Sequence, residues 1–93
     1  MKNKIARRLL KNKYYVPYWK EPKQKWRKIA AVRTKNHVIL LCERVDKYGS
    51  DWAVFMDFLK PKSIPSDKYH SSLEGARWIF TETIYEEMLG KNS

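Results

Sequence analysis

Basic and aromatic side chains alternate through the first third of the chain, and together these residue types can bind nucleic acid. Lysine and arginine neutralise phosphates and release the counterions around them. Tyrosine and tryptophan rings stack on exposed bases, at about 1–3 kcal/mol per base. The cations that we expect to contact nucleic acid or another anionic partner are Arg7, Arg8, Lys11, Lys25, Arg27, Lys28, Arg33, Lys35 and Arg44, and the candidate stacking residues are Tyr14, Tyr15, Tyr18 and Trp19.

The net charge of +10 is distributed unevenly along the chain. Residues 1–35 contain thirteen lysines and arginines and one acid, whereas residues 36–93 contain seven such cations and nine acids. The two parts therefore carry +12 and −2. A surface that serves only solubility mixes both signs, so this concentration of positive charge favours a polyanionic partner.

We find no catalytic or metal-binding motif in the sequence. Cys42 lies in an apolar run, where a thiol is usually a packed and unreactive group. His37 and His70 are isolated histidines, and Glu21-Pro22-Lys23 has the acid-x-lysine spacing of some nucleases without an acid upstream. Three glycines give no phosphate-binding loop. We therefore expect a non-enzymatic protein with no metal and no cofactor.

A length of 93 residues predicts one domain. A single cysteine gives no internal disulfide framework and favours a reducing compartment. The apolar run Ile5–Leu10 is interrupted by Arg7 and Arg8, and it is too short for a signal sequence or a membrane span. We expect a soluble, cytoplasmic protein that does not bind membranes, with residues 1–13 as a basic arm or short helix and residues 14–93 as one α+β domain.

Ile5, Ala6, Leu9 and Leu10 recur at helical spacing near the N-terminus. A helix of this length is not stable alone. It therefore either docks through Ile5 and Leu9 or stays a loose arm until a partner orders it.

Three runs rich in β-branched and aromatic residues predict an antiparallel sheet. Residues 26–34 and 37–45 flank a two-residue turn at Lys35-Asn36, and residues 52–59 follow a loop at Asp46–Asp51. Residues 14–20 favour extended structure, which Pro17 restricts to an edge strand or an irregular crossing. The expected fold class is α+β, with three or four antiparallel strands and a C-terminal helix packed on one face.

Apolar and charged residues match across the predicted hairpins in one register. The first hairpin pairs Val32 with Ile39, Ala30 with Leu41, Lys28 with Glu43 and Trp26 with Val45, and the second pairs Val45 with Trp52, Leu41 with Met56 and Ile39 with Phe58. Arg27 then lies opposite Arg44, which is unfavourable without an anion between the two. This arginine pair predicts a phosphate contact.

Alternation assigns each strand residue to one side of the sheet. Face one, the side of Ile39, Leu41, Val54 and Met56, is almost entirely apolar and also receives Trp26. Face two, the side of Val38, Leu40, Cys42 and Phe55, is apolar in the middle and basic at its margins. We expect the margins of face two to bind the anionic partner through Arg27, Arg33 and Arg44.

Residues 60–70 contain two prolines and predict a loop, whereas residues 72–89 predict a helix. Ser71 and Glu74 have capping-box spacing, and Gly90 suits the position after the helix. The predicted core stripe, which covers face one, is Leu73, Ala76, Phe80, Ile84 and Met88. A second stripe, of Trp78, Tyr85 and Leu89, is expected to be partly buried against the 60–70 loop.

The predicted order helix–three strands–helix resembles the double-stranded-RNA-binding domain, although Ser71–Arg77 has one basic residue where that family has a lysine-rich motif. Three strands followed by Ser-Leu-Glu-x-Ala at positions 72–76 also resemble the arm-binding domains of some integrases. The second resemblance implies a DNA-reading surface on face two.

Charge and composition thus favour a nucleic-acid-binding protein, with DNA and RNA, and single and double strands, left open. The alternative is a small inhibitor or interaction protein of mobile-element or phage type. Such a protein would dock its basic patch in the nucleic-acid channel or an acidic groove of a larger enzyme. A homodimer formed through face two is a third alternative.

Overall fold

The computed structural model describes residues 2–45, 51–59 and 63–90, so most of the predicted 46–51 loop and part of the 60–70 loop lie outside the described residues. The five strands form one antiparallel sheet in the order β1-β2-β3-β4-β5, with one helix at each end of the chain. The α+β class is confirmed, whereas the expected count of three or four strands is wrong. The elements are α1 (Lys2–Lys11), β1 (Tyr14–Tyr15), β2 (Trp26–Arg33), β3 (His37–Arg44), β4 (Trp52–Phe58), β5 (Ser66–His70) and α2 (Leu73–Met88).

The fifth strand lies in the segment that the two prolines predicted to be a loop. β5 begins at Ser66, immediately after Pro65, and pairs with β4 from Met56↔Ser66 to Trp52↔His70. A proline at the entrance of an edge strand removes no ladder hydrogen bond. The prediction of an irregular 60–70 segment is therefore wrong for residues 66–70.

A β-bulge in β2 changes the first hairpin. Val32 faces Ile39 and Ala30 faces Leu41, as predicted, but the register shifts between Lys28 and Ala30. The extra residue reverses the side on which the preceding residues lie. The predicted partners beyond it are wrong: Lys28 faces Cys42, Arg27 faces Glu43, and Trp26 faces Arg44.

The second hairpin is displaced by two residues from the predicted register. Ile39 pairs with Met56, Leu41 with Val54, and Glu43 with Trp52. An even displacement returns each side chain to the same side of the sheet. Ile39, Leu41, Val54 and Met56 therefore remain together on face one despite the wrong pairing.

Helix α2 covers face one. Ala76, Leu73, Ile79, Phe80 and Ile84 pack against the face-one cluster. The N-cap is Ser72, one residue later than predicted, and its hydroxyl accepts a 3.1 Å hydrogen bond from the Gly75 N–H. Gly90 has a φ of 79°, in agreement with its predicted place after the helix.

The outer side of α2 is more exposed than the sequence predicts. Met88, expected in the core stripe, is 76 % exposed. Trp78 and Tyr85, expected to pack against the 60–70 loop, are 69 % and 64 % exposed, and Leu89 is exposed as well. Part of that segment is β5, which is paired into the sheet, so it does not cover these side chains.

Face two is covered by the N-terminal part of the chain. Ala6 and Leu9 of α1 pack there, together with Tyr15 and the half-buried Trp19. They enclose a cluster that includes Val38, Leu40, Cys42 and Phe55, all 0 % exposed. Trp26, which the bulge turns to this side, is also fully buried. The middle of face two is therefore core and is not open to a partner.

Candidate anion-binding surface

Helix α1 presents a row of cations on its outer side. Ala6 and Leu9 are buried against face two, whereas Lys4, Arg7, Arg8 and Lys11 are exposed. The Lys28 ammonium donates a hydrogen bond to the Leu9 carbonyl oxygen, one of the last carbonyls of the helix. This contact and the buried side chains hold α1 against the sheet, so its cations have defined positions.

The chain after α1 adds a cluster of two lysines around an exposed tyrosine. The Lys25 and Lys13 ammonium nitrogens lie 4.4 Å and 5.6 Å from the centre of the Tyr14 ring. Pairing of β1 with β2 sets this arrangement, because Tyr14 lies opposite Arg27 and the Lys28 N–H donates to the Lys13 carbonyl oxygen at 2.8 Å. The two ammonium groups and the ring therefore form one cation–π cluster.

A cleft of about 270 Å³ separates α1 from the segment that follows it. Arg8 and Asn12 line one side, and Tyr14 and Tyr18, which are 41 % and 54 % exposed, line the other. Asp57 also lines the cleft and is itself buried. The cleft thus combines an arginine, two accessible rings and a carboxylate.

Burial raises the pKa of the Asp57 carboxyl above its ordinary value. The Tyr15 hydroxyl, the Phe58 N–H and the positive charge of Arg8 act in the opposite direction. The Tyr15 hydroxyl donates a 3.0 Å hydrogen bond to Asp57 Oδ2, and burial together with the carboxylate raises the pKa of this tyrosine. Tyr15 therefore serves the packing of face two and does not present its ring to solvent.

Three of the predicted cations are engaged within the protein. Arg27 forms a 3.2 Å ion pair with Glu43, and the Lys28 ammonium caps α1. Arg44 forms a 3.2 Å ion pair with Asp51 and also lies 5.6 Å from the centre of the Trp26 ring. The predicted pairing of Arg27 with Arg44, from which a phosphate contact was inferred, is therefore wrong, because the bulge brings a carboxylate opposite Arg27.

Arg33 and Lys35 are exposed, but they lie at the other end of β2. Arg33 lies six positions along the strand from Arg27, a span of about 20 Å. They line a cleft of about 680 Å³ between the β2–β3 turn and the last residues of α2. The structure thus divides the predicted cations between a group at α1 and Tyr14 and a second group at this turn.

The predicted stacking residues also divide into two pairs. Tyr14 and Tyr18 are exposed beside the α1 cleft, whereas Tyr15 is buried and Trp19 is half-buried against the core. Tyr18 is supported from below by Trp19 and Phe58, with ring centres 5.3 Å and 5.8 Å away. Two rings of the four are therefore accessible at the surface.

No family model, no curated protein and no solved structure matches this chain. The geometry of the surface itself is therefore the basis for inferring a function. The group that the structure assembles at one end of the sheet, here called the α1–Tyr14 surface, consists of Lys4, Arg7, Arg8, Lys11, Lys13, Tyr14, Tyr18 and Lys25.

Lys4 and Lys13 are the two members of this group that the sequence-based set of site residues omitted, and Lys13 is the one that lies over an aromatic ring. It lies next to Tyr14 in the chain, yet only the pairing of β1 with β2 brings Lys25 to the same ring. A lysine directly before an exposed aromatic residue in an edge strand is the signal that could have identified it.

The thiol of Cys42 and the imidazole of His37 are both buried inside the protein. Burial raises the pKa of the Cys42 thiol to about 12. The His37 imidazole is buried and its Nδ1 lies 2.5 Å from Glu87 Oε1. Within residues 2–45, 51–59 and 63–90, no three histidine, cysteine or acidic side chains are grouped to hold a metal ion, and no helix is long and apolar enough to cross a membrane.

Proposed function

We propose that this protein binds nucleic acid through the α1–Tyr14 surface, with the cations on phosphates and the Tyr14 and Tyr18 rings on unpaired bases. The observation that carries the proposal is that, among the described residues, three cations of this surface have no carboxylate partner. Among the described residues, Arg7, Lys11 and Lys25 form no ion pair, whereas Arg27 and Arg44 do. An unneutralised row of cations beside accessible rings suits a charged, stacked polymer.

The arrangement favours a single strand over a duplex. The exposed rings lie beside a cleft rather than on a broad flat surface, and a base must leave its stack to reach them. Arg8 lines the same cleft and Lys25 lies over the Tyr14 ring, so a phosphate on either side of the stacked base meets a cation. Duplex binding would use the cations alone.

Titration of labelled single-stranded and duplex oligonucleotides of equal length, at several salt concentrations, tests the proposal. If about six phosphates are neutralised, the logarithm of the affinity for a duplex falls with the logarithm of the salt concentration at a slope of about −5. The slope for a single strand is less steep. A dissociation constant larger than about 10⁻⁴ M at low salt concentration contradicts the proposal.

A matched pair of double variants separates a binding surface from general attraction. Arg7→Gln with Lys25→Gln removes two cations of the α1–Tyr14 surface, and Lys68→Gln with Arg77→Gln removes two exposed cations from β5 and α2. Both lower the net charge equally. We expect the first variant to weaken binding at least tenfold and the second to weaken it by less than threefold, whereas equal losses would contradict a defined site.

The tyrosines require a separate comparison. Tyr14→Ser removes a ring at the surface, and Tyr85→Ser, the control, removes a still more exposed ring from α2. Loss of one stacking contact of about 1–3 kcal/mol weakens single-strand binding roughly 5- to 150-fold. We expect this loss for Tyr14→Ser alone, with duplex binding almost unchanged.

A further inference from the structure

Strand β2 has an open outer edge. It pairs with β3 along its length, but with β1 only through Tyr14↔Arg27 and Tyr15↔Trp26. The Lys28 N–H donates to the Lys13 carbonyl oxygen, which is the last backbone hydrogen bond on that side among the residues that the structure describes. From Ile29 to Arg33, no strand in the described part of the chain lies beside this edge.

The hydrogen-bonding phase of the hairpin shows which groups face outward. The Thr34 N–H donates to the His37 carbonyl oxygen at 2.8 Å, so this pair closes the hairpin. Bonded and non-bonded pairs alternate in an antiparallel ladder. The Val32–Ile39 pair is therefore bonded, whereas Ala31 and Arg33 direct their N–H and C=O groups away from β3.

Space beside these groups is available to another backbone. Ala30 and Ala31 have small side chains, and Ile29, at the bulge, is exposed. A groove of about 340 Å³ lies along this part of β2, bounded by residues 10–13 at the end of α1 and residues 28–31 of the strand. An extended segment can approach the open edge without displacing a large side chain.

Charge selects what can occupy the edge. Lys11, Lys13 and Lys28 line the groove, and no acidic residue is among its lining residues. Arg33 and Lys35 are exposed at the other end. A second copy of β2 would bring the same cations opposite one another, which is unfavourable, as charged edge strands generally are for self-association. An acidic strand meets the opposite sign at both ends.

We propose that residues Ile29–Arg33 accept an extended acidic peptide segment of another protein as an additional strand of the sheet. The N–H and C=O groups of Ala31 and Arg33 supply the main-chain hydrogen bonds, and the flanking lysines and Arg33 bind alternate carboxylates. This strand-addition site does not rest on the nucleic-acid proposal, because its main-chain hydrogen bonds are to Ala31 and Arg33, which lie outside the α1–Tyr14 surface. The two sites share Lys11 and Lys13.

Titration of the isotope-labelled full chain with a short peptide of alternating glutamate and valine tests the proposal. We expect chemical-shift changes and slowed hydrogen exchange at the Ala31 and Arg33 amides. The same peptide with alternate backbone nitrogens methylated keeps its charge but loses main-chain donors, and should bind at least tenfold more weakly. Equal affinity of the two peptides overturns the proposal, as does undetectable binding of the unmethylated peptide.

A variant of the protein tests the same hydrogen bonds by changing β2 instead of the peptide. Ala31→Pro removes an outward donor without removing a bond to β3, which edge strands tolerate, and Ala31→Val keeps the donor as the control. We expect Ala31→Pro alone to weaken the acidic peptide at least tenfold, with Ile39 and Leu41 amide protection showing that the sheet is intact. If Ala31→Pro does not fold, the methylated peptide decides.

Two further outcomes distinguish other occupants. Protection of the Ala31 amide that rises with protein concentration, without peptide, identifies a second copy and overturns the proposal. If an oligonucleotide changes the chemical shifts of Tyr14 and Arg7 without protecting the Ala31 amide from exchange, the two sites are separate and the proposal stands. If an oligonucleotide protects the Ala31 amide as the peptide does, the site is not specific for extended peptides and the proposal is overturned.

Discussion

The Tyr15 hydroxyl donates a 3.0 Å hydrogen bond to Oδ2 of Asp57, linking residues 42 positions apart in the sequence. The strand pairing Val38↔Asp57 places this carboxylate under the segment that follows α1. Asp57 is a buried carboxyl group, and Tyr15 is one of the residues that the sequence predicts to stack on a base. The contact explains both residues, because a buried carboxylate requires a hydrogen-bond donor.

Asp57→Asn should be at least as stable as the natural protein at neutral pH, with a flatter dependence of stability on pH. Burial raises the pKa of Asp57 in the folded state, so the folded protein binds this proton more tightly than the unfolded chain. The free energy of unfolding therefore falls as the pH rises from about 4 through the folded pKa. Urea denaturation between pH 4 and pH 7 measures the difference, and an unchanged slope in Asp57→Asn would contradict it.

Tyr15→Phe should lower the free energy of unfolding by about 1–3 kcal/mol, because it leaves a buried acceptor without its donor. The loss should be larger at pH 7, where Asp57 is more often charged, than at pH 4. In the Asp57→Asn background the same substitution should cost less. Additive losses in the double variant would show that the hydrogen bond contributes nothing beyond packing.

Glu87 of α2 is the second acidic side chain that is buried, and its contacts explain its position. Its Oε1 lies 2.5 Å from His37 Nδ1 and accepts a 3.2 Å hydrogen bond from the Thr34 hydroxyl. These contacts join the end of α2 to the β2–β3 turn. The helical pattern alone places Glu87 with Glu82 and Glu86 on the outer side, which is wrong for Glu87, because it is 7 % exposed.

Glu87→Ala should lower the free energy of unfolding by about 3–5 kcal/mol, since it breaks a buried ionisable pair and leaves His37 without its partner. Glu87→Gln, which keeps an oxygen for the Thr34 hydroxyl, should cost less. Glu82→Ala, on the exposed side of the same helix, is the control, with an expected change within about 0.5 kcal/mol. Chemical denaturation of the three variants compares them, and similar losses for Glu87→Ala and Glu82→Ala would count against the buried pair.

The sequence predicts the sides of β3 and β4 well but not the bulge in β2. Ile39, Leu41 and Val54 are correctly placed on face one because a displacement of two residues does not change sides. Ile29, Ala30, Ala31 and Val32 are all apolar, so the pattern of β2 fits either phase of the sheet. In the phase that the structure shows, Trp26 packs against Phe55 in the face-two core, with ring centres 5.1 Å apart.

The candidate site shows a similar division. Composition correctly identifies the first third of the chain as the source of positive charge, and the exposed residues of α1 follow from helical periodicity. Whether a cation is neutralised depends on its neighbour across the sheet, as for Arg27 and Glu43. That neighbour depends on the bulge, and so it could not be read from the order of residues.

Cys42 should react with thiol reagents only through unfolding. The side chain is 0 % exposed and burial raises the pKa of the thiol to about 12, so little thiolate forms in the folded protein at neutral pH. Labelling with a disulfide reagent should be slow in buffer and fast in denaturant, with a rate that follows the unfolding equilibrium. Rapid stoichiometric labelling of the folded protein would disprove this assignment.

Two neighbouring leucines of α1 distinguish a docked helix from a loose arm. Leu9 is buried against face two, whereas its neighbour Leu10 is exposed. Leu9→Ala should lower the free energy of unfolding by about 2–5 kcal/mol, and Leu10→Ala, a change of the same atoms, should cost much less. Neither substitution changes the charge of the chain.

Oligonucleotide binding then separates the two descriptions of α1. A docked helix holds Arg7, Arg8 and Lys11 beside Tyr14, so release of Leu9 should weaken single-strand binding several-fold at a temperature where the sheet remains folded. An arm ordered only by its partner would bind almost equally well in both variants. Binding is measured for Leu9→Ala and Leu10→Ala at one salt concentration, and protection of the Ile39 amide checks that the sheet is folded. The comparison decides between the two descriptions, because ordering an undocked α1 costs part of the binding free energy.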